Sequence, residues 1–266
     1  MMLDNLVTRH DDGQIAHLTL NAPATTNALS EAMMSALCER LKAISSDTSV
    51  RVVIVSGAGA HFCAGHNLKE MTEHRTDADG GRQYFKDLFD RCSEMMLSIT
   101  RLPQPVIAQV QGIATAAGCQ LVATCDLAIA ATDATFATSG INIGLFCATP
   151  MVALSRNVSQ KQALEMLLTG EVISADKALD IGLINRHVAP ESLSAATMEL
   201  AETLASKSPV ALRLGKKAFY DQATLTLEQA YAQTAQVMAD NMMAGDTKAG
   251  IDAFITKQPM PDWHGE

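Results

Sequence analysis

"PVIAQVQGIATAAGCQLVATCDLAIA", Pro105 to Ala130, carries the architecture of the chain in one line. "PVIAQVQG" is an apolar run suited to a buried strand, and "IATAAG" is a turn of small residues. "CQLVATC" reads as a short helix, and "LAIAAT" as the next strand. The same grammar occurs earlier. "VRVVIVSG", 50–57, is a β-branched run of the kind found in buried parallel sheets. "AGAHFCAGHNLKEM" then runs as a loop into a helix start. A strand, small-residue turn and helix used twice predict an α/β fold of stacked units.

The flanking segments fit this plan. "QIAHLTLN", Gln14–Asn21, alternates like a strand, and "NAPATTNALS" reads as a loop. Ser30 is placed to cap a helix through about Ser45, with Met33, Leu37, Leu41 and Ile44 on one face. Residues 72–81 are polar and glycine-rich and read as a mobile loop, followed by a helix over about 81–100. Ser159 and Gln162 form a capping-box pair before "ALEMLLTG", and Gly170 is the stop. From about Pro190 the pattern is helical only. The expected division is an α/β core over 1–195 and a helical C-terminal region over 196–266.

Composition limits the function. The chain has 266 residues, 48 % of them hydrophobic and 18 % charged, with a net charge of −9. That balance argues against disorder and against a broad nucleic-acid footprint. It leaves room for a local basic pocket that binds an anion. The six cysteines form no CxxC pair and read as free thiols in a reducing compartment. The N-terminal "MMLDNLVTRHDDG" lacks the apolar core of a secretory signal. Together these lead to the expectation of a cytoplasmic protein. The uncharged stretch from Leu102 to Cys125 holds two prolines, two glycines and four glutamines, so it is not read as a membrane span.

Chemistry concentrates at the two loop-to-helix junctions, Phe62–His66 and Ala114–Gly118. Small residues let backbone approach a ligand, and helix N-termini present unpaired N–H groups. Two such donors aimed at one point would form an oxyanion hole. Close packing of helix on strand explains the same small residues equally well. His61, His66 and His74 stand five and eight residues apart and match no metal-binding pattern, so no metal is expected.

These segments resemble the crotonase (enoyl-CoA hydratase/isomerase) superfamily. "HFCAGHNLKEM" is similar to its F-x-A-G-x-D-L segment. "PVIAQVQGIATAAGCQLVATCDLAIA" is similar to its P-x-I-A-x-V-x-G-x-A-x-G-G-G-x-E-L segment. "NAPATTNALS" and "EMLLTGEVISADKALDIGLINRHV" resemble two further motifs, in the family's order along nearly the whole chain. "FATSGINIGLFCATP" beside "GIATAAGCQLVA" looks most like the subgroup called enoyl-CoA hydratase domain-containing protein 3.

The resemblance implies a spiral of ββα units with a helical C-terminal trimerisation region. It implies binding of acyl-CoA in fatty acid metabolism, no cofactor beyond the coenzyme A moiety of the substrate, and homotrimers or hexamers. It places the thioester oxygen between the backbone N–H groups of His66 and Ala117. The adenine would be cradled by backbone from Phe62 to Ala64, and Lys69 would lie near the phosphates. Phe254 and Lys257 match a C-terminal pair that contacts CoA, often across a subunit boundary.

Three departures stand out. The two glutamates that hydratases use as base and acid fall at Gln120 and at or near Gly140, and neither residue titrates. Ala116-Ala117-Gly118 stands for Gly-Gly-Gly, and Ala22 stands for the arginine before Pro23. His66 is the best alternative titrating group, with Cys147 behind it. Two functions remain open at this point: an enzyme on acyl-CoA thioesters, and a catalytically silent acyl-CoA-binding protein.

Overall fold

A computed structural model describes residues 5–266; the first four residues of the N-terminal stretch read above lie outside the described residues. The main sheet has six strands: β1 (Val7–Asp12), β2 (Ile15–Leu20), β3 (Val52–Gly57), β4 (Val106–Val110), β6 (Leu127–Ala131) and β9 (Arg186–Val188), in the order β1-β2-β3-β4-β6-β9. β1 and β2 form an antiparallel hairpin, and every later pairing is parallel. A second sheet joins β5 (Ile113–Thr115), β7 (Thr135–Ala137) and β8 (Ile173–Ser174).

Parallel strands covered on both faces explain the unbroken apolar runs. Val53 and Val55 face one way, into a core with α1 (Glu31–Ser45) and α3 (Arg82–Arg101). Val52 and Ile54 face the other way and meet Ala201 and Met198 of α8 (Leu193–Ala205). The expected domain boundary at 195/196 therefore falls inside a helix that closes the sheet. The helical tail begins after α8, with α9 (Pro209–Gln222), α10 (Leu227–Met242) and α11 (Gly245–Thr256).

Local expectations mostly hold where a long period carried them. Ser30 caps α1, its hydroxyl accepting the Met33 N–H at 3.1 Å, and Met33, Leu37, Leu41 and Ile44 are all buried. "IATAAG" differs: its first residues are strand β5, and only Ala116 turns before α4 (Ala117–Thr124). Segment 72–81 also differs, since α2 (Leu68–Glu73) ends in a 3-10 turn whose His74 ring stacks on Tyr84 at 3.5 Å. Ser159 stands at the N-cap of α6 (Gln160–Thr169), but its side chain makes no capping bond. Gly170 ends that helix in the left-handed conformation, as expected.

One buried knot fastens the helical tail to the core. Asp126, at the start of β6, accepts the Val106 N–H at 2.7 Å, the Lys216 ammonium at 2.6 Å and the Tyr220 hydroxyl at 2.8 Å. Lys216 also donates to the carbonyls of Ile99 and Gln104, each at 2.9 Å. Burial lowers the Lys216 pKa from its ordinary value against the pull of Asp126, and burial raises that of Tyr220. Removing one member strands a buried charge. Asp126→Ala is expected to cost about 3–5 kcal/mol in urea unfolding. A loss below about 1 kcal/mol, the scale of an exposed pair, would contradict this reading.

Candidate functional site

Two loops meet at the site, and their backbone bonding fixes which groups stay free. The first loop bridges to both neighbours: Leu29 pairs with His66, and Cys63 with Ala114. Cys63 donates to the Ile113 carbonyl at 3.0 Å and accepts the Thr115 N–H at 3.0 Å. The Gly65 carbonyl accepts the Leu29 N–H at 2.7 Å. In a trans peptide the carbonyl and the following N–H point in opposite directions. The His66 N–H therefore faces away from Leu29. By the same logic the Ala116 carbonyl, which accepts the Gln120 N–H at 3.0 Å, turns the Ala117 N–H out of the first turn of α4. Among the described residues neither N–H has an acceptor in the chain.

Close approach of the loops depends on glycine at two positions. A Cβ at Gly118 would lie 2.1 Å from the Cys63 carbonyl oxygen. A Cβ at Gly65, whose φ is +90°, would lie 3.1 Å from the Ala117 nitrogen. Ala116 takes φ 50°, ψ −119°, a conformation that favours glycine. Backbone strain of this kind costs about 1–3 kcal/mol.

A cavity of about 710 Å³ opens in front of the two N–H groups. Of the residues named from sequence, Ala64, His66, Lys69, Ala117, Gly140 and Cys147 line it. No aspartate or glutamate lines it, and Lys69 and His66 are its only basic side chains. The His66 ring packs edge-on against Phe89, with centroids 5.5 Å apart. Both ring nitrogens are sealed from solvent and lack a hydrogen-bond partner. Burial lowers the ring's pKa, against a smaller opposing pull from the Leu29 carbonyl. Burial likewise raises the Cys147 thiol.

The other candidates lie elsewhere. Gln120 is one turn into α4 and 4 % exposed, with its Oε1 unpartnered; it does not line the cavity. The Phe62 side chain is in the core, its N–H donates to Gln111 at 2.9 Å and its carbonyl accepts from Asn27, so its backbone is already engaged. Phe254 is 75 % exposed on α11, and Lys257 caps that helix; neither lines the cavity. Glu70 accepts the Glu31 N–H at 3.2 Å and so caps α1. His61 lies against Gly112, and His74 bonds Asp77 at 2.9 Å. Among the described residues no three His, Cys, Asp or Glu side chains gather as a metal site requires.

Sequence reading passed over Asn27, which is fully buried at φ 51°. Its amide donates to the carbonyls of Ala58, His61 and Phe62 and accepts the Ala22 N–H. An asparagine among small residues in "NAPATTNALS" was the available signal.

Two expectations follow. Ala116→Gly relieves the strained turn at some cost in chain entropy and should raise stability by about 1 kcal/mol; a loss of stability would refute the strain. The lowered His66 pKa means that protons prefer the unfolded chain, so stability present above the ordinary value of about 6.5 is lost as pH falls through it. Urea midpoints of wild type and His66→Leu at pH 7.5 and pH 5 should show a smaller drop in the variant. Equal drops would show that His66 carries none of it.

Comparison with known proteins places this geometry. Residues 10–266 match the family model Enoyl-CoA hydratase/isomerase. The chain is 46 % identical over 256 residues to mouse "Enoyl-CoA hydratase domain-containing protein 3, mitochondrial", covering 96 % of this chain and 83 % of that one. The crystal structure of an enoyl-CoA hydratase from Mycobacterium smegmatis superposes with a TM-score of 0.92 at 49 % identity, covering 97 % and 98 % of the two chains. The crystal structure of human enoyl coenzyme A hydratase domain-containing protein 3 superposes at 0.91 with 42 % identity, covering 96 % and 99 %. The expectation of a cytoplasmic protein is overturned, because the mouse, rat and human relatives are all named mitochondrial. Free thiols indicate a reducing compartment, and that criterion does not single out the cytoplasm. The fold is the crotonase fold, and the chain belongs to the enoyl-CoA hydratase/isomerase family.

Proposed function

We propose that this chain binds acyl-CoA thioesters and stabilises an enolate or oxyanion with the His66 and Ala117 N–H groups, without the paired carboxylates of ordinary hydration. One observation carries the reading: two unpaired N–H groups open on a 710 Å³ cavity that no Asp or Glu lines. Each such donor is worth about a hundred- to a thousand-fold in rate where negative charge develops on oxygen. Lys69 at the cavity offers a cation for the phosphates of coenzyme A. No cofactor beyond the coenzyme A moiety is needed for this chemistry.

Proton transfer is where the site is poor. Gln120 hydrogen-bonds but does not take a proton. Gly140 offers no carboxyl, and its place is closed: a Cβ there would lie 2.4 Å from the Leu145 carbonyl oxygen and 2.8 Å from the Cys147 sulfur. General acid–base catalysis contributes about a hundred- to ten-thousand-fold, so its loss removes most ordinary hydratase rate. Reactions that rely mainly on anion stabilisation, such as isomerisation, thioester cleavage or decarboxylation, suit the site better. A catalytically silent acyl-CoA-binding protein is the second reading, favoured by the same lack of carboxylates.

Assembly into trimers or hexamers is part of the proposal. Helix α10 has no buried residue, and Leu227, Tyr231 and Met238 stand exposed along it. Apolar exposure of this extent suits a subunit contact.

The test is titration calorimetry with butyryl-CoA, followed by mass analysis after incubation with crotonyl-CoA. Butyryl-CoA should bind, and crotonyl-CoA should gain no water above the buffer blank. Gln120→Glu alone should not restore hydration, because position 140 stays closed. Rapid water addition by the wild type, lost in Gln120→Ala, would establish a water-holding hydratase instead. Absence of thioester binding would overturn both readings.

A further inference from the structure

The wall of the cavity opposite the first loop carries two hydroxyls that the fold does not use. Ser139 and Thr149 both line the cavity and are half-buried. Among the described residues neither hydroxyl has a hydrogen-bond partner, and neither is sealed from the cavity. The neighbouring Thr138 shows the contrast. It is fully buried and donates to the Met166 carbonyl at 2.8 Å.

The wall is rigid and single. Asn142 donates to the Gly170 carbonyl at 3.1 Å, and the Leu145 N–H donates to the Gly140 carbonyl at 2.9 Å. Gly140 packs against Cys147, so the segment bearing Ser139 and the first turn of α5 (Ala148–Asn157), bearing Thr149, are held together. Preorganised polar groups in a mostly apolar cavity fix ligand orientation and specificity. No acid lines this wall, and the exposed Lys69 belongs to α2 across the cavity. The matching group on a ligand is therefore neutral, and it must hydrogen-bond to hydroxyls.

We propose that Ser139 and Thr149 select acyl-CoA thioesters whose acyl chain carries a neutral oxygen, a hydroxyl or a keto group. The inference rests on the acyl-CoA reading of the cavity given above. A hydroxyl or keto oxygen near the thioester meets two free hydroxyls in place of the carboxylate that position 140 lacks. A saturated chain leaves both of them to water.

Calorimetric titration of the wild type with butyryl-CoA, 3-hydroxybutyryl-CoA and acetoacetyl-CoA tests it. At least one oxygenated thioester should bind about tenfold more tightly than butyryl-CoA, which equals about 1.4 kcal/mol and matches one or two neutral hydrogen bonds. In the Ser139→Ala, Thr149→Val double variant the ratio should shrink to about twofold. The wild-type ratio needs no variant, so misfolding of the double variant does not shelter the proposal. Equal affinity for all three would overturn the selectivity and leave acyl-CoA binding intact. Tighter binding of malonyl-CoA than of the neutral ligands would overturn the neutral class. Failure of every thioester to bind would overturn the acyl-CoA reading itself.

Discussion

One buried amide holds the site together. Asn27 donates to the carbonyls of Ala58 and His61 at 2.9 Å and of Phe62 at 3.1 Å, while its Oδ1 accepts the Ala22 N–H at 2.9 Å. Those partners belong to two different loops, one before α1 and one after β3. Four backbone groups that would otherwise be buried unpaired are satisfied by one side chain. The cost is a left-handed backbone at Asn27, which asparagine tolerates better than most residues. With the loops locked, Ala64 donates to Thr26 at 3.0 Å and Leu29 to Gly65 at 2.7 Å. The direction of the His66 N–H is the last consequence of that chain of bonds.

The second arm is built by contact more than by bonding. Gly118 lies against the Cys63 carbonyl, and the isolated pairing of Cys63 with Ala114 joins the first loop to the small sheet. Helix α4 starts at Ala117 with every residue buried, so its first turn has little freedom to shift. A donor held this way needs no reorganisation as charge develops, which is the source of its electrostatic advantage. Asp126 plays the matching role at the far end of α4's connection, where it binds β4 and α9 at once.

Legibility in the sequence followed length and period. α1, β3, β4 and β6 were readable because each shows several turns or a full run of apolar residues. β5, β7, β8 and β9 have two or three residues each, too few to show alternation. β1 is polar along most of its length because it is an edge strand that buries only Val7. At the site, motif spacing located both junctions and the two missing carboxylates. It could not show that Gln120 lies off the cavity, that the Phe62 backbone is already bonded, or that Ser139 and Thr149 are free. Those facts depend on which partners meet across the fold, and a linear pattern does not contain them.

Gly140 carries a consequence for descent and for engineering. A glycine codon stands a single base from a glutamate codon, so mutation offers a carboxylate at this position readily. The main chain refuses it, because the Leu145 carbonyl and the Cys147 sulfur already fill the space that a first side-chain carbon needs. Paired acid–base chemistry is thus absent from the backbone path of residues 140–147 as well as from the side chains. A lineage or a designer wanting it back has to reroute that loop before the substitution becomes tolerable.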